Sequence, residues 1–242
     1  MINYNFFHIF FISICLFFSP FNGFSQDKST VEEDEEDADS YALIKPQHSV
    51  SMEVGLPVGI RNKTFSAYMQ GIINIAPYYH YSFKNKITAG VGMNYNYFWI
   101  NHVLTPDPKN LGGIHSLGGY LRFGYENFYT DRYGVDFSVK LGKSQLVFDT
   151  DNNHKLSSLP TANVYFIEPS LGFVITADDQ SSYRWVLGYG VQKYTFVPTL
   201  LGFDKSANPA SSSENINLLS RIAGYTSYLT IGFGYTYYIK QR

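Results

Sequence analysis

Seven side chains able to carry charge, Glu53, His80, Arg122, Asp136, Lys140, Glu168 and Arg184, obey one positional rule. Each lies in a stretch where apolar and polar residues alternate, and each falls on the polar parity, next to Val54, Tyr79, Leu121, Phe137, Leu141, Ile167 or Trp185 on the other. Successive side chains of a strand point to opposite faces, so the seven share one face and the oily neighbours share the other. Three acids and three bases on a common buried face have one obvious chemistry, mutual neutralisation, because an unpaired buried charge costs several kcal/mol. These residues are therefore expected to form an ion-pair network.

Catalytic chemistry finds less support. A lipid hydrolase or acyltransferase would need a serine and a histidine, oriented by a carboxylate, near a lipid interface. His115 with Ser116 is an adjacent pair, but adjacent strand residues face opposite ways; His102 and His154 fall in expected loops. No phosphate-binding glycine loop, zinc-ligand cluster or Gly-x-Ser-x-Gly turn occurs. No catalytic residue, metal ligand or cofactor site is expected. The paired glycines Gly90 and Gly92, Gly188 and Gly190, and Gly232 and Gly234 keep to the polar parity, where they leave room for large interior side chains.

The elements that would position the charges are eight alternating stretches: 49–56, 69–83, 87–99, 114–125, 133–147, 164–176, 183–197 and 222–239. All but the first reach the 9 to 11 residues or so that a tilted strand needs to cross a bilayer. Their connections alternate between short (84–86, 126–132, 178–182) and long (101–113, 148–163, 198–221), with a brief one near 60–68. Aromatic residues make up 18% of the 242-residue chain and charged residues only 16%, against about 25% charged in soluble domains. The expected fold is all-β, an eight-stranded antiparallel up-and-down transmembrane β-barrel; a water-soluble β-sandwich is the main rival. Eight strands enclose a space barely wide enough for side chains, so the seven charges should plug the lumen, the rival being a polar permeation path. Pro57, Pro77 and Pro169 inside strands suggest rims or bulges. Lys143 and Lys193 take the outward parity toward the long-loop end, where they could meet phosphates of the outer leaflet or simply snorkel.

Residues 1–25 hold an apolar run of roughly 13 residues followed by Gly23-Phe24-Ser25, which reads as a cleaved secretory signal; the sole cysteine, Cys15, lies within it. Residues 26–48 include seven acids between Glu32 and Asp39 and read as a disordered acidic leader in the periplasm. The barrel domain is then 49–242, and from Ser40 onward 17 Lys and Arg face 12 Asp and Glu.

The last stretch carries Thr230-x-Gly232-x-x-Tyr235-x-Tyr237, which resembles the polar-x-Gly-x-x-aromatic-x-aromatic signal read by the barrel-assembly machinery, although the chain continues through Tyr238-Ile239-Lys240-Gln241-Arg242. With the strand count and loop alternation, the whole mature region resembles the small outer-membrane β-barrel family, of the OmpA-transmembrane-domain and OmpX kind. The resemblance implies the Gram-negative outer membrane, both termini periplasmic, contact with outer-membrane lipid and lipopolysaccharide, and assembly by that machinery. It does not select a ligand. The expected function is non-enzymatic: a closed module acting through its outer loops on other envelope proteins, with no nucleic-acid partner. The alternatives left open are an accessory subunit of an export or assembly complex, a lipid-modifying enzyme and a narrow channel.

Overall fold

A computed structural model of the chain describes residues 47–103, 105, 109–178, 180–203 and 224–239. The expected signal peptide (1–25), nearly all of the acidic leader (26–48) and the last residues 240–242 lie outside these. Eight strands, β1 (Gln47–Gly59), β2 (Met69–Ser82), β3 (Ile87–Ile100), β4 (Gly112–Phe128), β5 (Tyr133–Thr150), β6 (Thr161–Asp178), β7 (Ser181–Gln192) and β8 (Thr226–Ile239), follow one another around a closed barrel. Every neighbouring pair is antiparallel, and β1 closes on β8 from His48 opposite Ile239 to Gly59 opposite Tyr228. No helix among the described residues is long and apolar enough to cross a membrane; α1 (Lys63–Tyr68) is a single short turn whose start is capped by the Asn62 side chain.

The register sorts side chains as the pleat requires. On β6 the outward positions are Tyr165, Ile167, Pro169, Leu171, Phe173 and Ile175, while Glu168, Ser170 and Val174 point inward and are buried. Ten rises of about 3.3 Å, tilted about 40°, carry Tyr165 to Ile175 through about 25 Å. Val135 to Leu141 on β5, Leu187 and Trp185 on β7 and Ile231, Phe233 and Tyr235 on β8 extend this apolar exterior around the barrel. Among the described strand residues the only outward Asp, Glu, Lys or Arg are Lys143 and Asp149, beyond Leu141 on β5, and Asp178, at the opposite end of β6.

Several strand ends differ from expectation. β1 begins at Gln47 and runs to Gly59, because its pairing with β8 continues to both ends. β4, β5 and β6 are longer than the alternation suggested, so Glu126 belongs to β4 and not to a turn. β7 stops at Gln192 instead of Val197: beyond it the chain turns inward and buries Phe196 ahead of a short 3-10 turn at Pro198–Leu201. The described part of β8 begins at Thr226 rather than 222.

The prolines sit where a ladder is interrupted on one side, as a residue without an amide proton must. The β2–β3 register skips Ala76 and Pro77, and the β6–β7 register skips Glu168 and Pro169. Pro57 pairs with β8, while on its other flank its carbonyl approaches Gly71 so closely that any Cβ there would collide with it.

Candidate functional site

The barrel interior has two storeys. Toward the end that bears the short turns, Arg184 lies at the centre of an ionic cluster. It donates to Asp136 at 2.9 Å, to the Tyr78 hydroxyl at 2.9 Å and to Thr236 at 2.9 Å, with Glu126 at 3.5 Å. Arg122 also reaches Asp136, and it donates to Thr88 at 3.1 Å. One level further from that end, Lys140 bridges Glu53 at 2.8 Å and Glu168 at 3.0 Å. The free sides of those two carboxylates accept from Tyr78 at 3.0 Å and Tyr228 at 3.1 Å. The packing needs glycine opposite the largest groups: a Cβ on Gly234 would lie 2.7 Å from the Arg184 stem, and one on Gly190 would lie 2.2 Å from the Tyr228 ring.

Six of the seven charged candidates thus belong to one connected network, and two members were missed. Glu126 adds a fourth acid, and Tyr78 bridges the two ionic groups; both lie on the inward parity, Glu126 in a segment that the sequence pattern gives to a connection. His80 departs from the expectation. It is buried, yet its partner is the Ser49 hydroxyl at 3.0 Å and its ring lies against Tyr78, so it joins no ion pair.

Above Lys140 the lumen becomes apolar, which corrects the expectation of a wholly salt-bridged interior. Asn74 donates to both Asn94 and Asn96 at 2.7 Å. Beyond that layer Phe98, Ile100, Ile114, Leu146, Phe148 and Val164 turn inward and pack with Phe65 and Tyr68 of α1 and with Phe196, Leu201 and Phe203 of the β7–β8 connection. Tyr194 packs against this stopper, and burial pushes its phenol above the ordinary value, which keeps it neutral. Asparagines fasten the connection in place. Asn110 holds the Leu201 carbonyl at 2.8 Å, and Asn153 holds those of Leu200 at 2.8 Å and Phe148 at 2.9 Å.

On the outside, Lys143 on β5, Tyr165 on β6 and Lys193, the residue just past the end of β7, form one row. Lys143 is registered with Tyr165, whose carbonyl accepts from the Lys193 amide at 3.0 Å, and all three are exposed. On the other side of Lys143 in the same row is Gly119, where an added Cβ would have no neighbour nearer than 3.8 Å. Of the assembly-signal residues, Thr230 and Gly232 face inward, and Tyr235 and Tyr237 are exposed on the apolar exterior.

His115 and Ser116, adjacent in sequence, do not meet. His115 faces outward and Ser116 is fully buried facing inward. His115 meets the Tyr95 hydroxyl at 2.9 Å through Nδ1, and its Nε2 lies 3.6 Å from Asp149, which also accepts from His154 at 2.5 Å. A carboxylate is present, but no serine hydroxyl is among the contacts of either histidine. Among the described residues no three His, Cys, Asp or Glu side chains are arranged to hold a metal ion.

The chain folds as a closed eight-stranded antiparallel barrel. No protein-family model matches it, and no curated protein does. Among solved structures it is similar to Neisserial surface protein A, with 11% identity and a TM-score of 0.48 over 78% of this chain and 96% of that one. It is also similar to the outer membrane protein OprG from Pseudomonas aeruginosa, at 13% identity and TM-score 0.44 over 79% and 96%. A third similar structure is the Yersinia pestis outer membrane protein Ail in a phospholipid bilayer nanodisc, at 13% identity and TM-score 0.34 over 78% and 99%.

Proposed function

We propose that this barrel is an integral protein of a Gram-negative outer membrane and a closed, non-enzymatic structural and interaction module, working through the connections at its long-loop end. The observation that carries the reading is the pairing of two features. An uncharged apolar exterior about 25 Å tall surrounds the barrel, and the lumen within is filled by ions at one end and by hydrocarbon at the other. An exterior of that height suits the hydrocarbon core, and a lumen so filled suits a plug better than a pore. On this reading the short turns and both termini lie in the periplasm, where the barrel-assembly machinery would take hold of β8. The Lys143–Tyr165–Lys193 row then falls at the outer headgroups, where two cations flanking an aromatic residue would anchor to lipid or lipopolysaccharide phosphate. Other envelope proteins would dock on the loops.

Planar-bilayer recording on the refolded chain tests the closed state: the expected result is an insulating bilayer, and steady conductance would contradict it. Counting lipids retained by wild type and by a K143Q/K193Q variant tests the anchor. Equal retention of anionic lipid by the two would refute it.

A further inference from the structure

At the long-loop end the outer wall of β3, β4 and β5 carries a groove of about 190 Å³ lined by Tyr97, Trp99, Leu111, His115, Asp149, Asp151 and His154. At about 30 Å³ per water, that is room for a ligand head of several heavy atoms. The groove is a built feature. Tyr97 and Trp99 sit edge to face with centroids 6.0 Å apart, and Tyr97 stacks on His115 at 4.6 Å. Trp99 is fixed by donating its indole N–H to His102 at 2.8 Å. Tyr95 and Asp149 hold His115 from its two ring nitrogens, and Asp151 is oriented by accepting the Leu111 amide at 3.2 Å.

Two carboxylates and two histidines border the groove, and among the described residues no Lys or Arg lines it. The rings of Tyr97 and Trp99 line the same space, and an aromatic π-system attracts a cation laid over its face. That combination repels phosphates and other anions, and the absence of a three-ligand arrangement disfavours a metal ion. It suits a cation too large and too weakly hydrated to be satisfied by water alone.

We propose that this groove binds the head of an organic ammonium compound, with the cation against Trp99 and Tyr97 and its charge balanced by Asp149 and Asp151. The site stands apart from the lumen and does not depend on where the barrel resides. Asp149 is six residues beyond Lys143 on β5, about 15 Å further along the barrel axis for a strand tilted about 40°. If the exterior is a membrane belt, the groove opens above the headgroups.

The chain has two tryptophans, so a W185F variant leaves Trp99 as its sole indole reporter. The experiment titrates this variant in a non-ionic maltoside micelle with choline chloride at constant ionic strength, following Trp99 emission. A parallel titration uses 3,3-dimethylbutan-1-ol, which has the same shape without the charge. Expected is a saturable change with choline and none with the alcohol, with D149N and D151N each weakening binding by roughly two- to fivefold, the worth of an exposed ion pair. Heat-modified migration on gels confirms that each variant is folded. No saturable response to choline, an equal response to the alcohol, or an unchanged affinity in the folded D149N/D151N double variant would each overturn the proposal.

Discussion

Replacing Lys140 by methionine removes the cation that bridges Glu53 and Glu168 while nearly conserving its length. In the folded barrel Lys140 is 1% exposed and its Nζ lies 2.8 and 3.0 Å from the two carboxylates. After the change Glu53 retains the Tyr78 hydroxyl and Glu168 retains that of Tyr228, each a single neutral donor for a buried negative charge. Removing one partner of a buried ion pair typically costs about 3–5 kcal/mol, whereas replacing the whole set by neutral groups of similar volume is often close to neutral. The K140M variant should therefore lose about 3–5 kcal/mol. The triple variant E53Q/K140M/E168Q, in which both amides can still accept from the tyrosines, should return to within about 1–2 kcal/mol of wild type. Urea unfolding in phospholipid vesicles, read by tryptophan emission, measures both. A loss below about 1 kcal/mol for K140M, or a triple variant less stable than the single one, would refute the reasoning.

Arg184 to Leu should destabilise more than Arg122 to Leu, because Arg184 serves Asp136, Glu126, Tyr78 and Thr236 and Arg122 serves Asp136 and Thr88; equal urea midpoints would contradict this. Gly71 to Ala places a Cβ 1.5 Å from the Pro57 carbonyl oxygen and should part β1 from β2, whereas Gly119 to Ala, with 3.8 Å of clearance, should leave stability unchanged. Gel mobility before and after heating distinguishes the two. Phe148 to Ala, which hollows the stopper, should cost about 3–5 kcal/mol in the same urea assay, and a change under about 1 kcal/mol would show that the loops refill the space.

Parity made most of this interior readable. Arg122, Lys140, Arg184, Glu53, Asp136 and Glu168 each alternate with an apolar neighbour, and a one-residue error in register would have turned all of them outward. Glu126 escaped because alternation fades toward a strand end, where Asn127 and Phe128 look like a turn. The stopper escaped for another reason. In Tyr97-Phe98-Trp99-Ile100 both faces are apolar, and alternation cannot say that Phe98 and Ile100 point in while Tyr97 and Trp99 point out. Phe196, Leu201 and Phe203 fold back from a connection that has no strand period, so only tertiary packing reveals them. The Asp149 groove was hidden similarly: β5 continues three residues past its expected end and carries Asp149 up to His115 and His154, two histidines that sequence placed on separate elements.

Trp185, 60% exposed on the outer face of β7, offers the most direct test of the central claim that hydrocarbon surrounds this barrel. A W99F variant leaves it as the only indole. In vesicles whose acyl chains carry bromine near mid-chain, its emission should be strongly quenched while aqueous iodide has little effect. Efficient quenching by iodide with none by the brominated lipid would contradict the account.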